Sequence, residues 1–440
     1  MHEESITVSP TKRLFISILT QDITLEAGIL DLIDNSVDSY TRKRYAERRK
    51  IDLIINHKEF SIFDTCGGIQ LDILKEQVFR FGSKVDSLDN PTLGMYGIGL
   101  KRSIFKMGDN VKLETHDGED YSLMNLDVPQ WQQNDNVWDI PFETEKSNLQ
   151  PNQKPFTKIT ISRLHKEIAA QLGSAVFIND LIEKIKKTYC LIIKDHIDVS
   201  LNGSLIEPYD LYVPEDENYK PSVIIDHYNG IDIRIICFID PSQGTRLKHA
   251  INAKGWNVFC NKRLILSNDV TELTGWKGGS AEDKSTLPKS HQLFNEFRGM
   301  VFLEANNPFN LPLNTSKTQL NTENPSYHYI LRLMIKAARP IIDYIYLKKN
   351  KQKQEIEAIE EEVNTPTDND NYNPQNQAYT TFNTNTVFAA PKPNIIISTT
   401  VRIGYSVEKE IFEKVRRNLA VKTNKEVGLK TFEYYISMEL

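Results

Sequence analysis

Asp31, Asn35 and Asp38 recur at i, i+4 and i+7 within the run 24–40, TLEAGILDLIDNSVDSY. At 3.6 residues per turn they share one narrow arc of a helix, with Asp34 at its edge. Ile29, Leu32, Ile33, Val37 and Tyr40 fall elsewhere and face a core. A carboxamide flanked by carboxylates is a donor set that holds a hydrated divalent cation and orients a water. A solvated acidic face carries the same charges, and both readings stand on this helix alone. Asn35 weighs toward the first, because Asn is a poor helix former and not a solubilising choice.

Further positions add to this. The stretch 51–69, IDLIINHKEFSIFDTCGGI, reads as two short strands around a polar turn, which leaves Asp64 where a strand runs out. Gly67 and Gly68 behind it permit a sharp turn or a close approach to a flat ligand, and a plain Asp-Gly turn is the alternative. Gly94, Gly97 and Gly99 form a G-x-x-G-x-G run opening the helical spacing of 100–108, LKRSIFKMG. Such a loop offers free N–H groups and a positive helix end to phosphate. Lys101 and Arg102 lie in the first turn, where the dipole disfavours cations and a polyphosphate would supply the reason for them. The run has neither the GK[ST] ending of a P-loop nor the spacing of a dinucleotide fold. Three alternating segments, 110–118, 121–128 and 156–164, read as antiparallel strands, with Thr157 beginning the last.

The elements that position these residues belong to a chain of 440 residues, long enough for two domains or more. Its 40% hydrophobic and 25% charged content is that of a soluble globular protein, and a net charge of -6 argues against a uniformly basic nucleic-acid binder. No apolar run approaches the ~20 residues of a membrane span. The amino terminus lacks a signal-peptide core, and Cys66, Cys190, Cys237 and Cys260 show no metal spacing. A cytoplasmic protein with reduced thiols and no membrane partner is expected.

In order, the chain offers an acidic/amide helix, an Asp-plus-glycine strand end, a glycine loop with a basic helix, and a Thr-led strand. That order resembles the GHKL superfamily of ATPases (gyrase B, heat-shock-90 chaperones, MutL and histidine kinases), closest to its MORC-like and bacterial stand-alone branches. The resemblance implies an α/β (α+β) chain that begins with a Bergerat-type ATP-binding sandwich and binds ATP and Mg2+. By that similarity Asn35 matches the metal ligand, and Asp38 accompanies it in the nucleotide site. Asp64 matches the residue that recognises the adenine amino group, Thr157 its support, and Gly68 the turn behind it. Gly94, Gly97, Gly99 and Lys101 match the lid and phosphate loop. Two positions depart from the pattern. Asp31 stands where the family's general base is usually Glu, one methylene or roughly 1.5 Å longer, and ~1 Å of misplacement can cost on the order of 100-fold in rate. Cys66 replaces the first glycine of Asp-x-Gly-x-Gly.

From about Asn179 a helix, alternating strands and turns at Asn202-Gly203 and Asn229-Gly230 suggest a second, mixed sheet, which resembles a transducer domain. Lys317, in the polar loop of LPLNTSKTQLN, matches a transducer lysine that contacts the γ-phosphate; a solvated surface lysine is the alternative. A long helix follows Pro325, with a kink expected at Pro340. The Asn-, Thr- and Pro-rich run 364–393 reads as a flexible linker. The last module, a short strand and two amphipathic helices capped at Thr423 or Asn424, looks like a ribbon-helix-helix element whose Thr400, Arg402 and Gly404 would face a partner strand or a DNA groove. The expected domains are therefore 1–165, 166–350, 351–395 and 396–440. The expected activity is a slow Mg-dependent ATPase, with Asp31 and Lys317 catalytic, in a homodimer that acts on DNA or a partner protein. A non-hydrolysing ATP-gated scaffold and a histidine kinase are the alternatives.

Overall fold

A computed structural model describes residues 10–80, 94, 97–216, 219–240, 253–279, 284–314, 316–361, 375–390 and 406–439. The chain separates into two compact units, Met1–Ile345 with Asn373–Lys392, and Tyr346–Tyr372 with Pro393–Leu440.

The first unit opens with α1 (Lys12–Gln21) and α2 (Leu25–Lys43). Thr24 starts α2 by accepting the Ala27 N–H at 3.2 Å, which satisfies one of the orphan donors of the first turn. Glu26 in the first turn and Arg42 and Lys43 in the last complement the helix dipole, and Arg44 ends the helix in the left-handed region at φ 52°. Ile29, Leu32, Ile33, Val37 and Tyr40 are buried, as their spacing requires. Truncating a fully buried one such as Ile33 costs roughly 2–5 kcal/mol.

The hairpin of β1 (Arg49–Ile55) and β2 (Glu59–Asp64) follows, then the single turn α3 (Leu71–Ile73), α4 (Gly99–Met107), β3 (Gly108–His116), β4 (Asp120–Asp127), α5 (Val128–Trp131), β5 (Phe142–Lys146) and β6 (Phe156–Leu164). Next come α6 (Lys166–Leu172), α7 (Ala175–Thr188), α8 (Cys190–Asp195), β7 (Ile197–Leu201) and β8 (Ser204–Leu205). The eight strands form one sheet in the order β5-β4-β3-β6-β2-β1-β7-β8, antiparallel except where β7 joins β1. Ile29 and Leu32 of α2 and Ile104 of α4 share a core with Leu53, Ile62, Val111 and Ile161 of the sheet.

A second, five-stranded sheet has the order β10-β11-β14-β12-β13, built from β10 (Ser222–Tyr228), β11 (Ile231–Ile239), β12 (Gly255–Cys260), β13 (Arg263–Asp269) and β14 (Phe297–Glu304). It is mixed, because β12 runs parallel to β14 while the other pairs are antiparallel. A short strand, β9 (Tyr212–Glu215), precedes it, and α9 (Pro325–Glu361) follows.

The structure departs from the sequence reading in three places. The Asn202-Gly203 turn, expected in the second domain, joins β7 to β8 in the first sheet, so that layer runs past residue 165. Parallel pairing of β1 with β7 is a long-range contact that no local pattern announces. Second, α9 continues through Pro340 as one helix. Third, residues 375–390 of the expected flexible linker are a strap on the second sheet. Within the strap, β15 (Gln375–Ala378) pairs with β9, Thr386 bridges Val223, and Ala389 bridges Lys220. Tyr379 stacks on Phe302 at 4.6 Å between ring centroids, and Phe388 packs edge-on against Tyr219. Backbone pairing plus a few aromatic anchors needs no aliphatic run.

In the second unit α10 (Lys409–Asn418) and α11 (Asn424–Glu439) form two short helices. Thr423 Oγ1 accepts the Glu426 N–H at 3.3 Å and the Glu426 carboxylate accepts the Thr423 N–H at 2.9 Å, a reciprocal capping box. The expected ribbon residues Thr400, Arg402 and Gly404 lie outside the described residues.

Candidate functional site

One face of α2 is the floor of the site. Asp31 and Asp38 are buried there, whereas Asn35 between them is exposed. Asp38 Oδ2 accepts the Gly94 N–H at 2.7 Å, which ties the glycine run to the helix. A Cβ on Gly94 would stand 3.0 Å from that same oxygen, and one on Gly99 3.3 Å from Asp31 Cγ, so both positions lie against α2 closely enough to favour glycine. Gly97 has φ +61°, a conformation that side chains rarely adopt.

The two cations after the glycines do not reach outward. Lys101 is buried and turns back to donate to the Gly97 carbonyl, and burial lowers its ammonium to about 8. Arg102 places both Nε, at 2.8 Å, and Nη2, at 2.6 Å, on Oδ2 of Asp31. The expected general base is therefore half occupied by a guanidinium.

Asp64 is the side wall. It ends β2 opposite Thr157 of β6 and is joined to the floor by Ser36, whose hydroxyl donates to Oδ2 at 2.8 Å. Its other oxygen accepts the Cys66 N–H at 2.8 Å. Burial pushes the Asp64 carboxyl up to about 6, against the opposing pull of those two donors. Thr157 Oγ1 lies 3.3 Å from Thr115 Oγ1, and Thr115 in turn accepts the Ile69 N–H at 2.8 Å, so the strand supports the glycine turn. Gly68 has φ +63°, and a Cβ there would fall 2.2 Å from the His116 carbonyl oxygen, which makes glycine obligatory. Cys66 is fully buried with its thiol pushed well up by burial, and its small side chain occupies the turn without opening it.

The most buried charge in the site is one that sequence reasoning left at the margin. Asp34, 0% exposed, accepts Arg263 Nε at 2.8 Å and the Tyr189 hydroxyl at 2.7 Å on Oδ1, and the Lys317 ammonium at 2.8 Å on Oδ2. Burial alone would raise its carboxyl; Arg263 and Lys317, with the hydrogen bonds from Lys317 and Tyr189, outweigh burial and hold it below the ordinary carboxylate value. Lys317 Nζ is also 3.7 Å from Asp31 Oδ1. Burial pulls the Lys317 ammonium down, and Asp34, Asp31 and Asp38 more than reverse that. Lys317 is thus not a solvated surface lysine: it is 8% exposed and lies against α2. Arg263, Tyr189 and Ser36 are the residues that the sequence reading did not assign, and Arg102, read there as facing phosphate, instead pairs with Asp31. A signal for Arg263 existed, since an arginine opens the otherwise apolar run RLIL straight after a two-residue turn.

The residues present fit a nucleotide and its cation. Gly94 and Gly99 bring main chain close against the carboxylates of α2, those carboxylates and the Asn35 carboxamide supply oxygen donors suited to a hard divalent ion, and a buried acceptor stands at the side wall. Residues 23–159 match the family described as histidine kinase-, DNA gyrase B-, and HSP90-like ATPase. The layered domain around α2 is accordingly a GHKL-type ATP-binding domain of Bergerat fold. No curated protein shows significant similarity to the chain. No helix among the described residues is long and apolar enough to cross a membrane.

Proposed function

We propose that the protein is a nucleotide-gated ATPase in which bound ATP draws Lys317 from its carboxylates to the γ-phosphate. The observation that carries this is the placement of the Lys317 ammonium 2.8 Å from Asp34 and 3.7 Å from Asp31, on the helix that bears Asn35. Asp64 accepts the adenine amino group with Thr157 in support, since a buried carboxylate selects an exocyclic amine. Gly94, Gly97 and Gly99 present backbone N–H groups to the phosphates, with Lys101 beside them and Gly68 admitting the base. Asn35, with Asp38 nearby, is assigned to Mg2+, which supplies charge neutralisation at the phosphates. Asp31 takes a proton from the attacking water, and ADP and phosphate leave.

One observation favours a second reading, a non-hydrolysing ATP-gated scaffold. Arg102 holds one oxygen of Asp31 through two nitrogens, so that oxygen is occupied and not open to an attacking water. What supports the MORC-like and bacterial stand-alone branches over a histidine kinase is the mixed second sheet that follows the ATP-binding domain. A homodimer through the C-terminal helices is supported by the exposed Ile411, Leu429, Phe432, Tyr435 and Ile436. DNA or a partner protein as the object of the cycle, and a cytoplasmic site for it, complete the proposal.

Lys317→Ala tests the central claim. It should lower ATP affinity about tenfold, the effect of one lost charge-assisted bond, and leave ADP affinity nearly unchanged. Equal weakening of both nucleotides would make Lys317 structural.

A further inference from the structure

We propose that Arg263 is a positioning residue that keeps Asp34 neutralised while Lys317 is withdrawn, so that Lys317 is free to answer a nucleotide phosphate. This rests on the assignment of Lys317 to the γ-phosphate.

The two oxygens of Asp34 are divided. Oδ1 takes Arg263 Nε at 2.8 Å and the Tyr189 hydroxyl at 2.7 Å, while Oδ2 takes Lys317 Nζ at 2.8 Å. Withdrawing a cation from a fully buried carboxylate with no other partner leaves an uncompensated charge, which is strongly unfavourable. Here the pairing on Oδ1 stays intact when Oδ2 is vacated. Arg263 is held rigidly enough for this. It opens β13 after the left-handed pair Asn261 and Lys262, at φ 44° and 68°, and its side chain is 4% exposed.

Arg263 has a second bond that separates what moves from what does not. Its Nη1 donates to the main-chain carbonyl of Lys317 at 2.6 Å, so it grips the backbone of the loop and leaves the ammonium unbound by it. Lys317 itself has φ +55°, a conformation that such a grip helps to hold. The ammonium also has a stepping point, because Asp31 Oδ1 is 3.7 Å away and Asp31 lies beside Gly99 of the glycine run. A fixed guanidinium and an exchangeable ammonium on opposite oxygens of one carboxylate are what a reversible latch requires.

The test compares Mg-ATP with Mg-ADP affinity by calorimetry on the full chain. Arg263→Met makes Lys317 the remaining cation on Asp34, and the preference for ATP over ADP should fall about tenfold. Adding Asp34→Asn to Arg263→Met removes the charge that traps Lys317, and the preference should return to within about threefold of wild type. A double variant no better than the single one overturns the proposal, because the charge on Asp34 would then not be what holds Lys317 back from the nucleotide. If Arg263→Met does not fold, Asp34→Asn alone decides: a preference for ATP above wild type supports the latch, and one unchanged or reduced overturns it. A wild-type chain that binds ATP no better than ADP removes the Lys317 assignment itself, and the latch with it, before any Arg263 variant is made.

Discussion

Lys317 and Asp34 are 283 residues apart in the chain and 2.8 Å apart in the fold. Asp31 stands one helical turn before Asp34, with Lys317 Nζ at 3.7 Å and Arg102 Nη2 at 2.6 Å. Three cations, Arg102, Arg263 and Lys317, therefore serve two buried carboxylates. Asp38, buried on the same helix, is a third carboxylate acting on Lys317, so these three cations meet three carboxylates and leave no excess charge.

The proposed adenine role of Asp64 predicts a pH dependence of binding. Asp64→Asn should abolish nucleotide binding, and unchanged affinity in that variant would remove the basis of the assignment. The carboxyl is raised from 3.8 to about 6 by burial. Between those values the folded protein holds a proton that the unfolded chain has released, so this residue's contribution to stability falls as pH rises through that window. Binding has the opposite sign: the amine needs an ionised acceptor, and ADP affinity should weaken as pH falls through about 6. Ser36 donates to the ionised form, so Ser36→Ala should move the midpoint upward, whereas the titration of the phosphates is common to both proteins. A midpoint that Ser36→Ala does not move assigns the titration to another group.

Asp31 decides between hydrolysis and gating. Asp31→Asn should retain ATP affinity within about threefold and lose turnover by roughly 100-fold or more. Asp31→Glu restores the length usual at this position and should turn over as fast as wild type or faster. Steady-state phosphate release measures both. Equal turnover in wild type and Asp31→Asn would show that another group activates the water, and no turnover in any of them favours the scaffold.

The proposed dimer is assigned to the C-terminal helices, and truncation tests it. Ending the chain after Pro393 should leave the ATP site intact and convert a dimer to a monomer in the absence of nucleotide, as read by sedimentation. A truncated chain that sediments as a dimer contradicts the assignment.

How much of this could be read in the residues follows from range. Asp31, Asn35 and Asp38 are legible because helical periodicity is local, and Gly94, Gly97 and Gly99 because their spacing and the helix after them are local too. The Asp64 wall is legible as a strand end. The Asp34 cluster is not, because Tyr189, Arg263 and Lys317 reach it across 155, 229 and 283 residues. Nothing near Asp34 distinguishes a carboxylate in that cluster from one in solvent. Arg102 misled in a different way: its place in the first turn pointed to phosphate, and the helix instead turns it toward Asp31. The strap escaped notice because its composition suggests disorder, while its order comes from main-chain pairing, which any composition can supply.

That strap has a consequence for how the protein is handled in pieces. Val223 and Thr386 exchange N–H···O bonds at 2.9 and 3.0 Å, Lys220 and Ala389 do so at 3.1 and 3.0 Å, and the Asn385 carboxamide accepts the Ile225 N–H at 2.6 Å. These bonds occupy main-chain groups on the side of β10 away from β11. A chain stopped at the end of α9 would present them bare, beside an apolar strand, as a template onto which a second molecule could stack. Self-association of such a fragment would report an unzipped sheet margin and not the native pairing of subunits, so a boundary chosen before residue 375 and one chosen after 392 will give opposite answers about assembly.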